Sequence, residues 1–160
     1  MTDYEQLLNA LDDGQVEHVV IGGIAANAHG SARYTQDVDV VYGRSTANLQ
    51  RLVAAISPLD PYLRGAPPGL PFTFDVPTLE AGLNFTLVTA AGDLDLLGHM
   101  SGGGTYNDLL PHVVQKETFG RIRPVLSLRA LIQAKRAAGR VKDLAALAEL
   151  EALLEEQESL

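Results

Sequence analysis

The sequence predicts a single α/β domain. Three observations carry that prediction: apolar residues at helical spacing near both ends of the chain, β-branched runs of strand length between them, and 46% apolar residues in a chain of 160. That is enough for one well-filled core and too little for two.

The elements follow in order. Tyr4, Leu7, Leu8 and Leu11 recur at helical spacing over 3–11, and Asp12-Asp13-Gly14 ends the pattern. Val16 to Ile21 is a β-branched run that stops at Gly22-Gly23, and Ile24 to Ala28 reads as a short helix reaching His29-Gly30. Asp37 to Tyr42 alternates acid and valine and is closed by Gly43, the pattern of a second strand. Ser45 caps a helix with Leu49, Leu52, Val53 and Ile56 on one face. Ser57 to Pro77 is rich in proline and glycine and reads as a surface excursion. Leu83–Thr89 and Asp93–Leu97 form a predicted hairpin through Ala90-Ala91-Gly92, and Gly98 to Gly104 a flexible loop. A second strand pair, Val113–Phe119 with Ile122–Leu126, turns at Gly120. Two helices finish the chain, over 127–138 and 142–156.

Composition excludes several functions. No run of about 18 apolar residues offers a membrane span, and the acidic amphipathic start is unlike a secretory signal, so a soluble, cytoplasmic protein is expected. Zero cysteines removes disulfides, thiolate nucleophiles and cysteine-bound zinc or iron–sulfur centres. Oxygen-ligated Mg²⁺ or Mn²⁺ stays available. A net charge of −8 argues against a nucleic-acid coat protein. Yet eight of the twelve basic residues lie between Lys116 and Lys142, with Glu117 as the only acid among them, so a local anion site is compatible with the charge.

The sharpest chemical feature is Gly22-Gly23 followed by Arg33, Thr35 and Asp37-Val38-Asp39. Residues two apart on a strand share a face, so Asp37 and Asp39 project together and repel unless a cation lies between them. Hard divalent ions that keep substrate phosphates as partners would satisfy that pair. Glycines at a strand-to-helix turn allow backbone N–H groups to approach a phosphate. An Asp-x-Asp alone is commonly a solvated strand face, and Gly-Gly alone commonly a turn. Their order and spacing favour a joint function.

Ile21-Gly22-Gly23, His29-Gly30, Arg33, Thr35 and Asp37-Val38-Asp39 resemble the signature of the nucleotidyltransferase superfamily with a polymerase-β-type palm. Within it the chain is most similar to minimal AbiEii-like bacterial proteins, many of them toxins of toxin–antitoxin pairs. The resemblance runs from about Val16 to Leu150. It implies a small mixed β-sheet with helices packed on one side and two C-terminal helices forming the other wall of a nucleotide cleft. It also implies that Gly22 and Gly23 hold the triphosphate and that Asp37, Asp39 and a third carboxylate hold two divalent ions, Mg²⁺ or Mn²⁺. Asp95 is preferred over Asp93 as that carboxylate, because it lies deeper in its strand and precedes two leucines as in the family; it would also help activate the acceptor hydroxyl.

Arg33, Thr35, Lys135 and Lys142 would assist nucleotide binding. Lys135 shares the apolar stripe of Leu128, Leu131 and Ile132 and is expected to face a cleft. Arg140 to Leu144 resembles the family's C-terminal Lys-Asp motif, with Asp143 placed to suit a helix start. Ala146 departs from the second aspartate many relatives carry three residues later. The implied activity is transfer of a nucleoside monophosphate from a nucleoside triphosphate to a hydroxyl of RNA or protein, with an antitoxin as partner. The alternative is a nucleotidyltransferase-fold protein that binds or regulates without turnover. None of His18, His29, His99 and His112 is at metal-ligand spacing.

Overall fold

The computed structural model describes residues 1–160, the side chain of Lys142 excepted. In chain order the helices are α1 (Tyr4–Asp13), α2 (Gly22–Ala28), α3 (Thr46–Ile56), α4 (Val76–Ala81), α5 (Tyr106–Leu109), α6 (Leu128–Ala138) and α7 (Leu144–Glu158). The strands are β1 (His18–Ile21), β2 (Asp37–Tyr42), β3 (Tyr62–Leu63), β4 (Asn84–Thr89), β5 (Gly92–Leu97), β6 (His99–Met100), β7 (Gly104–Thr105), β8 (Val113–Thr118) and β9 (Arg121–Leu126). Seven strands form one mixed sheet in the order β3-β4-β5-β2-β1-β9-β8; β6 and β7 pair separately. The parallel contacts are β2 with β5 and β1 with β9.

Alternation decides which side of the sheet each residue serves. Val38 and Val40 of β2 and Leu94 and Leu96 of β5 are wholly buried, in one core with Leu7, Leu8 and Leu11 of α1, Leu49, Leu52 and Ile56 of α3, and Leu79 of α4. The acidic residues between those positions are thereby turned to the opposite face. A smaller cluster, Leu128, Ile132 and Leu150 with Ala26, Leu147, Leu153 and Leu154, packs α6 and α7 onto α2. This places the C-terminal helix pair beside the acidic face.

Most predicted elements occur within a residue or two of their expected bounds. Three departures have physical reasons. The helix after β1 begins at Gly22 itself, because Gly22 takes φ +65 and turns the chain straight from strand into helix. The proline-rich stretch contains β3 and leads into α4, whose Asp75 side chain accepts from Thr78 N–H and whose Pro77 sits in the first turn, where proline is tolerated. The glycine-rich loop is stiffened by the β6–β7 pair, and α5 follows it on a capping box between Thr105 and Asp108. Both His18 and His29 pack internally: His18 Nδ1 lies 2.8 Å from Val16 O and His29 Nε2 lies 2.9 Å from Leu126 O.

Candidate active site

The parallel pairing of β2 and β5 sets Asp37 opposite Asp93 and Asp39 opposite Asp95. Four carboxylates therefore share one patch of the sheet, drawn from segments more than fifty residues apart. Asp37, Asp39 and Asp95 each offer an oxygen within 4.8 Å of the others. The cost of that proximity shows in ionisation. Burial first, and then the charges of Asp95 and Asp37, push the Asp39 carboxyl up to about 8, with Arg64 opposing. Asp37 is raised in the same direction by burial and by Asp95.

Asp39 ties the glycine turn to this patch. A Cβ placed on Gly22 would stand 2.2 Å from Asp39 Oδ2, and one on Gly23 would stand 2.6 Å from Thr35 Oγ1. Neither position accepts a side chain without moving the residues beside it. Gly22, Gly23, Asp37, Asp39 and Asp95 line a cavity of about 400 Å³ whose far wall carries Leu131, Ala134, Lys135, Arg140 and Asp143 from the C-terminal helical region. An adjoining cavity of about 160 Å³ is bounded by Gly22, Gly23, Arg33, Tyr34, Thr35, Lys135, Ala146 and Glu149. Lys135 lies between the two.

The structure thus brings Asp37, Asp39, Asp95, Gly22, Gly23 and Lys135 to one cleft and Arg33 and Thr35 to the space beside it; Lys142 lies outside the described side chains. Lys135 is engaged with a side chain: its Nζ lies 3.4 Å from Asp143 Oδ1, and Arg140 Nε donates to Asp143 Oδ2 at 2.7 Å. Asp143 precedes α7 without capping it. Burial disfavours its charge, but Arg140 and Lys135 outweigh that and hold its carboxyl below the usual range.

The basic stretch is largely neutralised in the same way. Arg121 pairs with Asp13, Arg123 with Asp12, Arg129 with Glu158 and Arg136 with Glu151. Its density along the chain does not make one anion-binding surface.

A cation that sequence reasoning missed lies against the carboxylates. Arg64, immediately after β3, donates from Nη2 to Asp95 Oδ1 at 2.7 Å and reaches within 3.9 Å of Asp37 and 3.5 Å of Asp93. Its sequence context, Leu63-Arg64-Gly65, has no periodicity that would signal this.

The donor set fits a hard divalent cation. All the ligand atoms are carboxylate oxygens, they converge, and Asp39 Oδ1 is buried with no hydrogen-bond partner. No helix among the described residues is long and apolar enough to cross a membrane.

The sheet order, the flanking helices and the acidic cleft define a nucleotidyltransferase fold. No protein-family model matches the chain, and no curated protein does. Solved structures do match. A proposed nucleotidyltransferase of Thermotoga maritima aligns over 93% of this chain and 94% of its own, at 19% identity and a TM-score of 0.57. ANT(2″)-Ia, solved in complex with adenylyl-2″-tobramycin, aligns over 96% and 94% at 16% identity and a TM-score of 0.55. The solution structure of the antibiotic-resistance factor ANT(2″)-Ia aligns over 96% and 88% at 16% identity and 0.50. At these identities the likeness is one of fold.

Proposed function

We propose that this chain is a metal-dependent nucleotidyltransferase that moves a nucleoside monophosphate from a nucleoside triphosphate to a hydroxyl of an RNA or protein acceptor. The observation that carries the reading is the convergence of Asp37, Asp39 and Asp95 beside the Gly22-Gly23 turn in one cleft. In the reaction the acceptor oxygen attacks the α-phosphorus, a new P–O bond forms, and the bond to pyrophosphate breaks on the opposite side. Asp95 takes the proton of the acceptor hydroxyl. Gly22 and Gly23 give the triphosphate close approach to the backbone, and Lys135, Arg33 and Thr35 supply donors around it. Asp37, Asp39 and Asp95 would hold Mg²⁺ or Mn²⁺, which when bound supplies charge stabilisation for the attacking and leaving oxygens.

The AbiEii-like resemblance extends this to a toxin that pairs with an antitoxin. Ala146, in the wall of the smaller cavity where many relatives carry an aspartate, supports a second reading, a fold kept for binding without turnover. Calorimetric titration of nonhydrolysable ATP, GTP, CTP and UTP analogues, with and without Mg²⁺, separates the two. Metal-dependent binding that disappears in Asp37→Asn/Asp39→Asn is the expected result. A folded wild type that binds no nucleotide would instead favour the second reading, under which Asp39→Asn leaves partner binding intact.

A further inference from the structure

The wall of the larger cavity that faces the carboxylate triad has a charge arrangement of its own. α6 ends at Gly139, which takes φ +63, and the chain turns back at once, with Asp143 N–H donating to Arg140 O at 3.0 Å. The donation from Arg140 Nε to Asp143 Oδ2 closes the same short turn, and on its own that pair is a turn clasp. The other oxygen of Asp143 does more, because Lys135 Nζ on the preceding helix lies 3.4 Å from it. Asp143 is only 6% exposed, and it is one anion meeting two cations, both of which line the cavity. Arg129 and Arg136 of the same helix are instead paired one to one, with Glu158 and Glu151. Arg140 is half exposed, and its Nη1 and Nη2 have no hydrogen-bond partner among the described residues.

Resting on the nucleotide reading above, we propose that Arg140 is a further triphosphate ligand and that Asp143 is the positioning residue that aims Arg140 and Lys135 together into the cleft. A guanidinium held at Nε keeps its other two nitrogens in one plane, a fork that matches two phosphate oxygens. Lys135 borders both cavities, whereas Arg140 borders only the larger one, with Asp37, Asp39 and Asp95. Arg140 therefore faces the part of the triphosphate next to the α-phosphorus, and Lys135 the part that continues toward Arg33 and Thr35. When the bond between the α-phosphorus and the bridging oxygen breaks, its electron pair passes to pyrophosphate. The Arg140 fork donates to the oxygens on which that charge gathers. Without the buried carboxylate, two long side chains would be free to turn away into solvent.

The sign of one substitution separates aiming from charge. Inorganic tripolyphosphate, which carries the phosphates without a base, is titrated calorimetrically with Mg²⁺ into wild type, Arg140→Gln, Asp143→Asn and Arg136→Gln. Arg140→Gln is expected to bind about ten- to a hundredfold more weakly, the range of lost charge-assisted hydrogen bonds. Arg136→Gln removes the same charge from a residue paired outside the cleft and should bind as wild type does. Asp143→Asn removes a negative charge from the cleft wall, so charge alone predicts tighter binding. Loss of aim predicts weaker binding, and a loss of about tenfold is expected. A turn clasp without this role would lower stability and leave affinity untouched. Equal binding by folded Arg140→Gln and wild type would overturn the proposal, as would tighter binding by Asp143→Asn, and the nucleotide reading would stand in either case. Equal losses in Arg136→Gln and Arg140→Gln would overturn it too, by making the effect one of net charge. Should Asp143→Asn not fold, Asp143→Glu keeps the charge and shifts the carboxylate by one methylene; undiminished binding there removes the aiming role. If wild type binds neither tripolyphosphate nor any of the four nucleotide analogues, the proposal and the reading beneath it fall together.

Discussion

Two arginines in this molecule lie among carboxylates, and they serve different ends. Arg123, on β9, is completely buried and has a full set of acceptors: the carboxylate of Asp12, Asn9 Oδ1 at 2.7 Å, Thr118 O at 2.7 Å and Phe119 O at 3.0 Å. One charge meets one charge, and neutral oxygens take the remaining N–H groups. Arg64 is 28% exposed, faces three carboxylates at once and leaves its Nε without a hydrogen-bond partner. The first arrangement is balanced, as a buried ion pair must be to be tolerated. The second carries surplus negative charge, the condition of a site made to receive more cation. Satisfaction of hydrogen bonds distinguishes the staple from the site more sharply than burial does.

The largest effect expected from breaking this contrast is at the staple. Arg123→Met leaves Asp12 and the β8–β9 turn carbonyls without their donor, and loss of one partner of a buried pair costs about 3–5 kcal/mol. Urea denaturation should show a fall of that order, unchanged by Mg²⁺. Next is Gly22→Ala. A left-handed backbone costs a non-glycine residue about 1–2 kcal/mol, to which the collision with Asp39 adds. Metal-dependent nucleotide binding should weaken more in this variant than its stability loss explains, because the carboxylate that must shift is the one at the site.

The surplus charge predicts an unusual pH response for the metal-free protein. Unfolded, Asp39 titrates at the ordinary carboxylate value of 3.8; folded, it holds its proton to about 8. Between those two values the native state binds the proton that the unfolded state has lost, so stability declines as pH rises across the window. Asp39→Asn should flatten that decline in denaturation curves taken at several pH values, and an equal slope in the variant would refute the assignment. The smallest effect is at Arg64. Partly exposed ion pairs contribute about 0–1 kcal/mol, so Arg64→Gln should lower metal-free stability only slightly. Added Mg²⁺ should restore the loss at Arg64 and do nothing for Arg123→Met.

The same contrast marks what could be read in the residues themselves. Asp37 and Asp39 follow from alternation, since the valines bound for the core leave their neighbours on the opposite face; alternation puts Asp93 and Asp95 on one face alike, and the preference for Asp95 comes from its depth in the strand and the two leucines after it. Lys135 follows from helical phase. Each of these signals is local. Arg64 reaches the carboxylates only because two residues of β3 pair with β4 across a gap of more than twenty, an event with no local trace in a stretch of prolines and glycines. Charge density leaves a local anion site open without showing which charges are free: acids from α1 and α7 meet Arg121, Arg123, Arg129 and Arg136, while Lys135 borders both cavities. The helix at Val76 carries local signals, the Asp75 cap and early Pro77, but the same proline also reads as the end of the preceding proline-rich excursion.

The parallel contact between β2 and β5 has a consequence in time. Its partners are joined by α3, α4 and the hairpin strand β4, so Asp37 and Asp39 cannot meet Asp93 and Asp95 until a long loop has closed, and pairings of such separation are slow to form. A slip of one residue would turn leucines into the cleft and aspartates into the core, so only the correct alignment survives. In a refolding experiment, recovery of metal-dependent nucleotide binding should therefore trail the recovery of helix signal. The nascent chain would carry its acidic strands separately, and become competent only when the two halves of the sheet have found their register.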